Sequence, residues 1–190
     1  SAEAAADAAE TARDAAEHEA ARQAAVYAAG DEPTQVWFDP AAEGVALFGR
    51  PDGIWRSEDG GQTWECADPD LGATEFYRWN GVIVLGGTSG VRASTDGGRS
   101  FIDLEHATGG ATVYHLAQVG DLLYAATEDG LYRSPDGLRW AWTPGAGADP
   151  IRTVVADPDW AGGLWVAGEA GLRRSDDGAR SFFAAGTQPL

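Results

Sequence analysis

Four segments of this chain lie over one another in register, and that repeat restricts the fold more than any other feature of the sequence. They are GIWRSEDGGQTWE from Gly53, GVRASTDGGRSFI from Gly90, GLYRSPDGLRWAW from Gly130 and GLRRSDDGARSFF from Gly171. Their aspartates Asp59, Asp96, Asp136 and Asp177 stand 37, 40 and 41 residues apart. A unit of this length holds four short strands, and such units bury a core only by stacking on their neighbours.

The residues around each segment supply those strands. TQVWFDP, ATEFYRWN, ATVYHLAQV and IRTVVADP read as first strands, and GVALFGRPD, GVIVLGGTSG, DLLYAATEDG and GLWVAGEAG as second strands. A third strand (IWRS, VRAS, LYRS, LRRS) then enters an Asp-Gly turn and a fourth strand. Asp-Gly between β-rich runs signals a tight hairpin, because Gly accepts the positive φ the turn needs. The preceding Ser and Asp can hydrogen-bond the local backbone. The expected architecture is all-β: four up-and-down antiparallel sheets, arranged radially as β-propeller blades over about 34–68, 73–107, 111–143 and 151–184. Residues 1–30 differ sharply. Half are Ala, with no Pro and with Gly only at Gly30, so the composition predicts a helix there. Its only large apolar residues are Val26 and Tyr27. Residues 31–190 form the repeat region.

The turns resemble the Asp-box, or bacterial neuraminidase repeat, whose motif is S-x-D-x-G-x-T-W and whose members are propellers. The first copy matches throughout, with Ser57, Asp59, Gly61, Thr63 and Trp64. The second has Ser94, Asp96, Gly98, Ser100 and Phe101. The third, with Ser134, Asp136, Gly137 and Trp140, is one residue short, and the fourth, with Ser175, Asp177, Ser181 and Phe182, has Ala179 in place of the Gly. The resemblance implies that these residues brace the blade periphery. Periodicity agrees, since a fold needs one turn four times and a catalytic site occurs once. The family also implies an extracytoplasmic setting, and it spans glycosidases, sorting receptors and an assembly factor.

Composition excludes several functions. The chain has 30 acidic residues against 13 Arg and no Lys, a formal charge of −17. That argues against nucleic acid, which is held by clustered Lys and Arg on phosphates. No apolar run approaches the ~18 residues of a membrane-spanning helix. The single Cys66 and the separated His18, His106 and His115 have no metal-ligand spacing, so no metal or cofactor is expected. There is no phosphate loop and no G-x-S-x-G elbow. A sialidase-like hydrolase would need an Arg triad; only Arg78 and Arg152 fall on or beside channel-lining first strands, where they could face a ligand.

The expected function is therefore a non-catalytic propeller scaffold that mediates protein binding or assembly, with a glycan-binding or sialidase-like propeller fragment as the alternative. For a glycan, Trp37, Trp79, Trp140, Trp142, Trp160 and Trp165 are the stacking candidates, although Trp also fills blade cores. Four blades are fewer than such propellers usually have. The arc is expected to be completed by a second copy or another protein, with uncovered apolar faces around Val36–Phe38 and Phe182–Phe183.

Overall fold

A computed structural model describes residues 35–50, 53–69, 72–104 and 107–185. The helix expected over residues 1–30 lies outside them. Among the described residues sixteen strands form four sheets, each a four-stranded antiparallel meander in chain order. The first sheet holds β1 (Gln35–Phe38), β2 (Ala46–Arg50), β3 (Gly53–Ser57) and β4 (Glu65–Asp68). The second holds β5 (Ala73–Trp79), β6 (Val82–Gly87), β7 (Gly90–Ser94) and β8 (Ile102–Asp103). The third holds β9 (Val113–Val119), β10 (Leu122–Thr127), β11 (Gly130–Ser134) and β12 (Ala141–Trp142). The fourth holds β13 (Ile151–Ala156), β14 (Leu164–Gly168), β15 (Gly171–Ser175) and β16 (Phe183–Ala184). The one short helix described is a 3-10 turn at Pro144–Ala146.

The first three sheets bury both faces of their second strands, which explains why β2, β6 and β10 read as apolar runs rather than as alternating patterns, whereas β14 and β15 of the fourth sheet stay partly exposed. Three core clusters lie between successive sheets. Leu47, Ile54, Phe76, Ile83 and Leu85 join the first two; Val84, Val91, Val113, Leu116 and Leu123 join the next pair; Tyr124, Leu131, Ile151, Val154 and Leu164 join the last. Leu47, Ile83, Leu123 and Leu164 are fully buried. Truncating one of these to Ala would cost ~2–5 kcal/mol, the lost transfer energy plus the cavity left behind.

The first strands β1, β5, β9 and β13 pack side by side in chain order as the inner layer. Among the described residues no comparably extensive contact returns from the fourth sheet to the first, so the four blades form an open arc. Val36 and Phe38 are exposed, in line with the sequence expectation for the first blade. The last blade differs from that expectation. Phe182 packs into the third core cluster with the Arg173 guanidinium 5.7 Å from its ring centroid, and the exposed apolar residues of its strands are instead Val155 and Leu172.

Candidate functional site

Two features recur from blade to blade, one on the outer rim and one on the inner strands. On the rim, each third strand runs into a Ser-x-Asp turn. Ser57 Oγ donates to Asp59 Oδ1 at 2.8 Å and accepts from the Gly61 amide at 2.8 Å. Asp59 Oδ1 also accepts the Gln62 and Thr63 amides, and Oδ2 the Thr63 hydroxyl at 2.6 Å. The same bonds recur through Ser94, Asp96, Gly98 and Ser100, and through Ser175, Asp177, Ala179 and Ser181. The fourth turn thus keeps the pattern without its Gly, because Ala179 itself takes φ 67°. The third turn departs. Being one residue shorter, it has no hydroxyl on Asp136 Oδ2, and the Arg139 Nε donates there instead at 2.7 Å. Trp64 and Trp140 each donate Nε1 to the turn glycine carbonyl, of Gly61 and Gly137.

These donors lower the carboxyls' proton affinity. The Thr63 hydroxyl and amide, with Ser57, hold Asp59 well below the usual carboxylate range. Asp177 is drawn down to about 2, the Ser181 hydroxyl leading. At Asp96 and Asp136 burial is the largest single influence and pushes upward, but the surrounding donors together outweigh it and hold both at about 2. The second and third turns also seat on the preceding blade. A Cβ on Gly98 would lie 3.1 Å from Leu47, and one on Gly137 2.9 Å from Val84. Arg56 Nε donates to the Gly97 carbonyl and Trp79 Nε1 to that of Pro135.

On the inner strands the pairing register makes Gln35, Glu75, His115 and Thr153 equivalent. They stand opposite Gly49, Gly86, Ala126 and Ala167. Small partners are required there: a Cβ on Gly49 or Gly86 would lie 2.6 or 2.7 Å from Ala73 or Val113 of the next blade. From this position the Gln35, Glu75 and His115 side chains reach the next blade's inner strand. Gln35 Oε1 accepts the Phe76 amide at 3.1 Å, Glu75 Oε2 accepts the Leu116 amide, and His115 Nδ1 accepts the Val154 amide at 3.3 Å. Thr153 Oγ1 lies 3.3 Å from the same ring nitrogen. Because Nδ1 accepts, the neutral His115 carries its proton on Nε2, 3.7 Å from Glu75 Oε1. Burial pushes the Glu75 carboxyl up to about 7 against the opposing Leu116 bond.

Beside these rungs, β5, β9 and β13 each bulge, leaving Thr74, Tyr114 and Arg152 out of the ladder. A bulge re-aims a side chain. Here the Arg152 guanidinium lies 4.1 Å from the Tyr114 ring centroid, and its Nη2 is 4.0 Å from Glu169. Arg78 sits four residues beyond the bulge on β5, toward the other end of the inner layer, in an ion pair with the buried Asp39 carboxyl. The structure therefore does not bring Arg78 and Arg152 together. Of the six Trp candidates, Trp79 is buried, while Trp37, Trp140 and Trp165 are half-buried, Trp37 stacked on Phe76. Trp142 and Trp160 are exposed. Glu75, Tyr114 and Thr153 escaped sequence reasoning, though the 40-residue period applied to the inner strands would have aligned Glu75 and Thr153 with Gln35 and His115.

No family model matches the chain. It is similar to a xyloglucanase of Hypocrea jecorina, 30% identical over 177 residues, a match covering 80% of this chain and 21% of that enzyme. The chain thus spans about a fifth of that relative's length. Among solved structures it resembles an ancestral GH74 enzyme with a TM-score of 0.67 at 16% identity, covering 84% of this chain and 25% of the other. It also resembles YCF48 from Cyanidioschyzon merolae, with a TM-score of 0.60 at 14% identity, covering 84% and 57%. A further likeness is to YCF48 bound to D1 peptide, with a TM-score of 0.55 at 15% identity, covering 82% and 53%. The four packed meanders and these likenesses define the chain as a set of β-propeller blades.

Proposed function

We propose that the chain is a non-catalytic propeller module that grips an extended polypeptide along its inner strands. The carrying observation is the Tyr114–Arg152 stack, where bulges on two adjacent inner strands turn an aromatic face and a half-exposed guanidinium toward one place. Such a pair binds planar amides and carboxylates by stacking and by a fork of donors. The peptide-bound state of a structural neighbour supports a polypeptide as the ligand class. The Ser-x-Asp turns are read as braces on the Asp-box pattern, since their hydrogen bonds are satisfied within the turn. The family resemblance supports a setting outside the cytoplasm.

A second reading, glycan binding, rests on the xyloglucanase similarity and on the exposed Trp142 and Trp160. One experiment separates the two. The chain is titrated with a peptide array and with xyloglucan oligosaccharides, alongside Arg152→Ala and Trp160→Ala variants. Peptide binding that Arg152→Ala abolishes supports the first reading. Oligosaccharide binding that only Trp160→Ala removes would replace it with the second.

A further inference from the structure

The three joints between successive blades follow one rule, and both ends of the arc carry half of it. In each joint an inner-strand side chain accepts an amide from the next blade, an apolar residue beside that amide is buried, and the next blade's turn seats on the preceding blade. The buried residues are Phe76, Leu116 and Val154, at 3%, 2% and 0% exposure. Val36 holds the same register position on the first blade, opposite Phe48 as Phe76 is opposite Leu85, yet is 52% exposed. On the last blade Leu172 occupies the register position of Ile54, Val91 and Leu131. Those three are at most 2% exposed, and Leu172 is 50% exposed.

The polar parts also pair across the two ends. Thr153 holds the rung position of Gln35, Glu75 and His115, and its hydroxyl oxygen, 3.3 Å from His115 Nδ1, has a lone pair to accept one more amide. Val36 holds the amide position that Phe76, Leu116 and Val154 use. Arg174 holds the register position of Arg56, whose Nε binds the Gly97 carbonyl; its own Nε pairs with Asp157 Oδ2 at 3.0 Å, which leaves its terminal nitrogens for Gly60, the first blade's exposed counterpart of Gly97.

We propose that a second copy of this chain sets its first blade on the last blade's outward face, making a head-to-tail joint of the kind already repeated three times within the chain. Its contacts are Val36 against Leu172 and Val155, the Val36 amide on Thr153, and the Gly60 turn at Arg174. Residues 1–34 suit the role poorly, because Val26 and Tyr27 are their only large apolar side chains. A joint that pairs different surfaces closes a ring when its rotation permits, and two copies would then bury both ends of each.

Light scattering over a concentration series, at ~0.15 M salt to screen the −17 charge, tests this with Val36→Glu and Leu172→Glu. Both positions are exposed in the single chain, and circular dichroism checks that each variant folds as the parent does. The parent is expected to associate, and each variant to associate at least ~30-fold more weakly, because either charge would be buried in the joint. An equimolar mixture of the two variants restores one intact joint and is expected to give a heterodimer. A parent that stays monomeric, whether residues 1–34 or solvent cover the faces, overturns the proposal. So does a Val36→Glu chain that associates like the parent, since that would mark a symmetric contact between last blades.

Discussion

The outer and inner edges of these blades are built by opposite strategies. On the rim, four turns repeat almost the same chemistry, and every bond that Asp59, Asp96, Asp136 and Asp177 accept comes from within four residues. On the inner strands one register position is filled by Gln35, Glu75, His115 and Thr153, four different chemistries, and the bonds reach 39 to 41 residues along the chain. The rim carboxylates close each turn on itself, whereas the rungs tie one blade to the next. Repeats that agree where they fold and differ where they line a surface carry individuality on that surface.

The largest effect should come from breaking the seat between a rim turn and its neighbour. Gly137 combines φ 77° with a Cβ position 2.9 Å from Val84 Cγ2. Gly137→Val is expected to lower unfolding free energy by more than ~2 kcal/mol, from backbone strain and overpacking together. Denaturant melts measure it, and a loss below ~1 kcal/mol would show that the seat yields easily. Next in size is the turn itself: Asp96→Ala is expected to cost ~1 kcal/mol, discounted for exposure, by leaving the Arg99 and Ser100 amides to water. With Asp96, Asp136 and Asp177 held at about 2, the turns' stabilisation is present above the ordinary aspartate pKa and is lost as pH falls through about 2. Acid titration of the Asp96→Ala variant should show a shallower loss than the parent.

A smaller, opposite pH response should come from the inner ladder. Folding raises the Glu75 pKa to about 7, so between ~4.5 and 7 the native chain binds more protons than the unfolded one, and stability falls as pH rises through that window. Glu75→Gln reproduces the neutral Gln35 rung, whose carbonyl oxygen accepts the same kind of amide. It is expected to flatten the slope from pH 5 to 7.5 and to raise stability at pH 8 by ~1 kcal/mol, a figure reduced for partial solvent screening. An unchanged slope would place the titration elsewhere.

The sequence disclosed the rim more fully than the ladder, and range explains why. The Ser57–Asp59–Gly61 and Ser94–Asp96–Gly98 patterns are legible because both partners sit within a few residues, so side-chain type follows from local geometry. Only the third turn surprised, where Arg139 supplies by charge what a missing hydroxyl would have donated. His115 reads in sequence as a packed or surface histidine, since its partner Val154 contributes only an amide, which every residue but proline has. Arg78 and Arg152 share inner strands, yet nothing in their spacing reveals that a bulge exposes one while Asp39 holds the other. The faces of the arc's ends depended on register as well. Phe182 and Leu172 are both apolar, and only strand pairing decides which one turns inward.

The finest distinction lies at His115, where an acceptor can be kept or removed with little change in size. His115→Asn offers a side-chain oxygen near the place of Nδ1, so the Val154 amide retains a partner, and the change is expected to cost less than ~0.5 kcal/mol. His115→Phe fills similar space but leaves that amide, on a fully buried residue, without its acceptor, at a cost of ~1 kcal/mol or more. The two substitutions separate hydrogen bonding from packing. Amide exchange at Val154 reads the rung directly, because an amide that loses its acceptor exchanges through smaller openings than one that keeps it. The Phe variant should exchange faster there, while Leu116, held by Glu75 on the neighbouring rung, keeps its protection. Equal protection of Val154 in both variants would mean that packing alone joins the third and fourth blades, and that the inner position is free to vary because it bears no structural load.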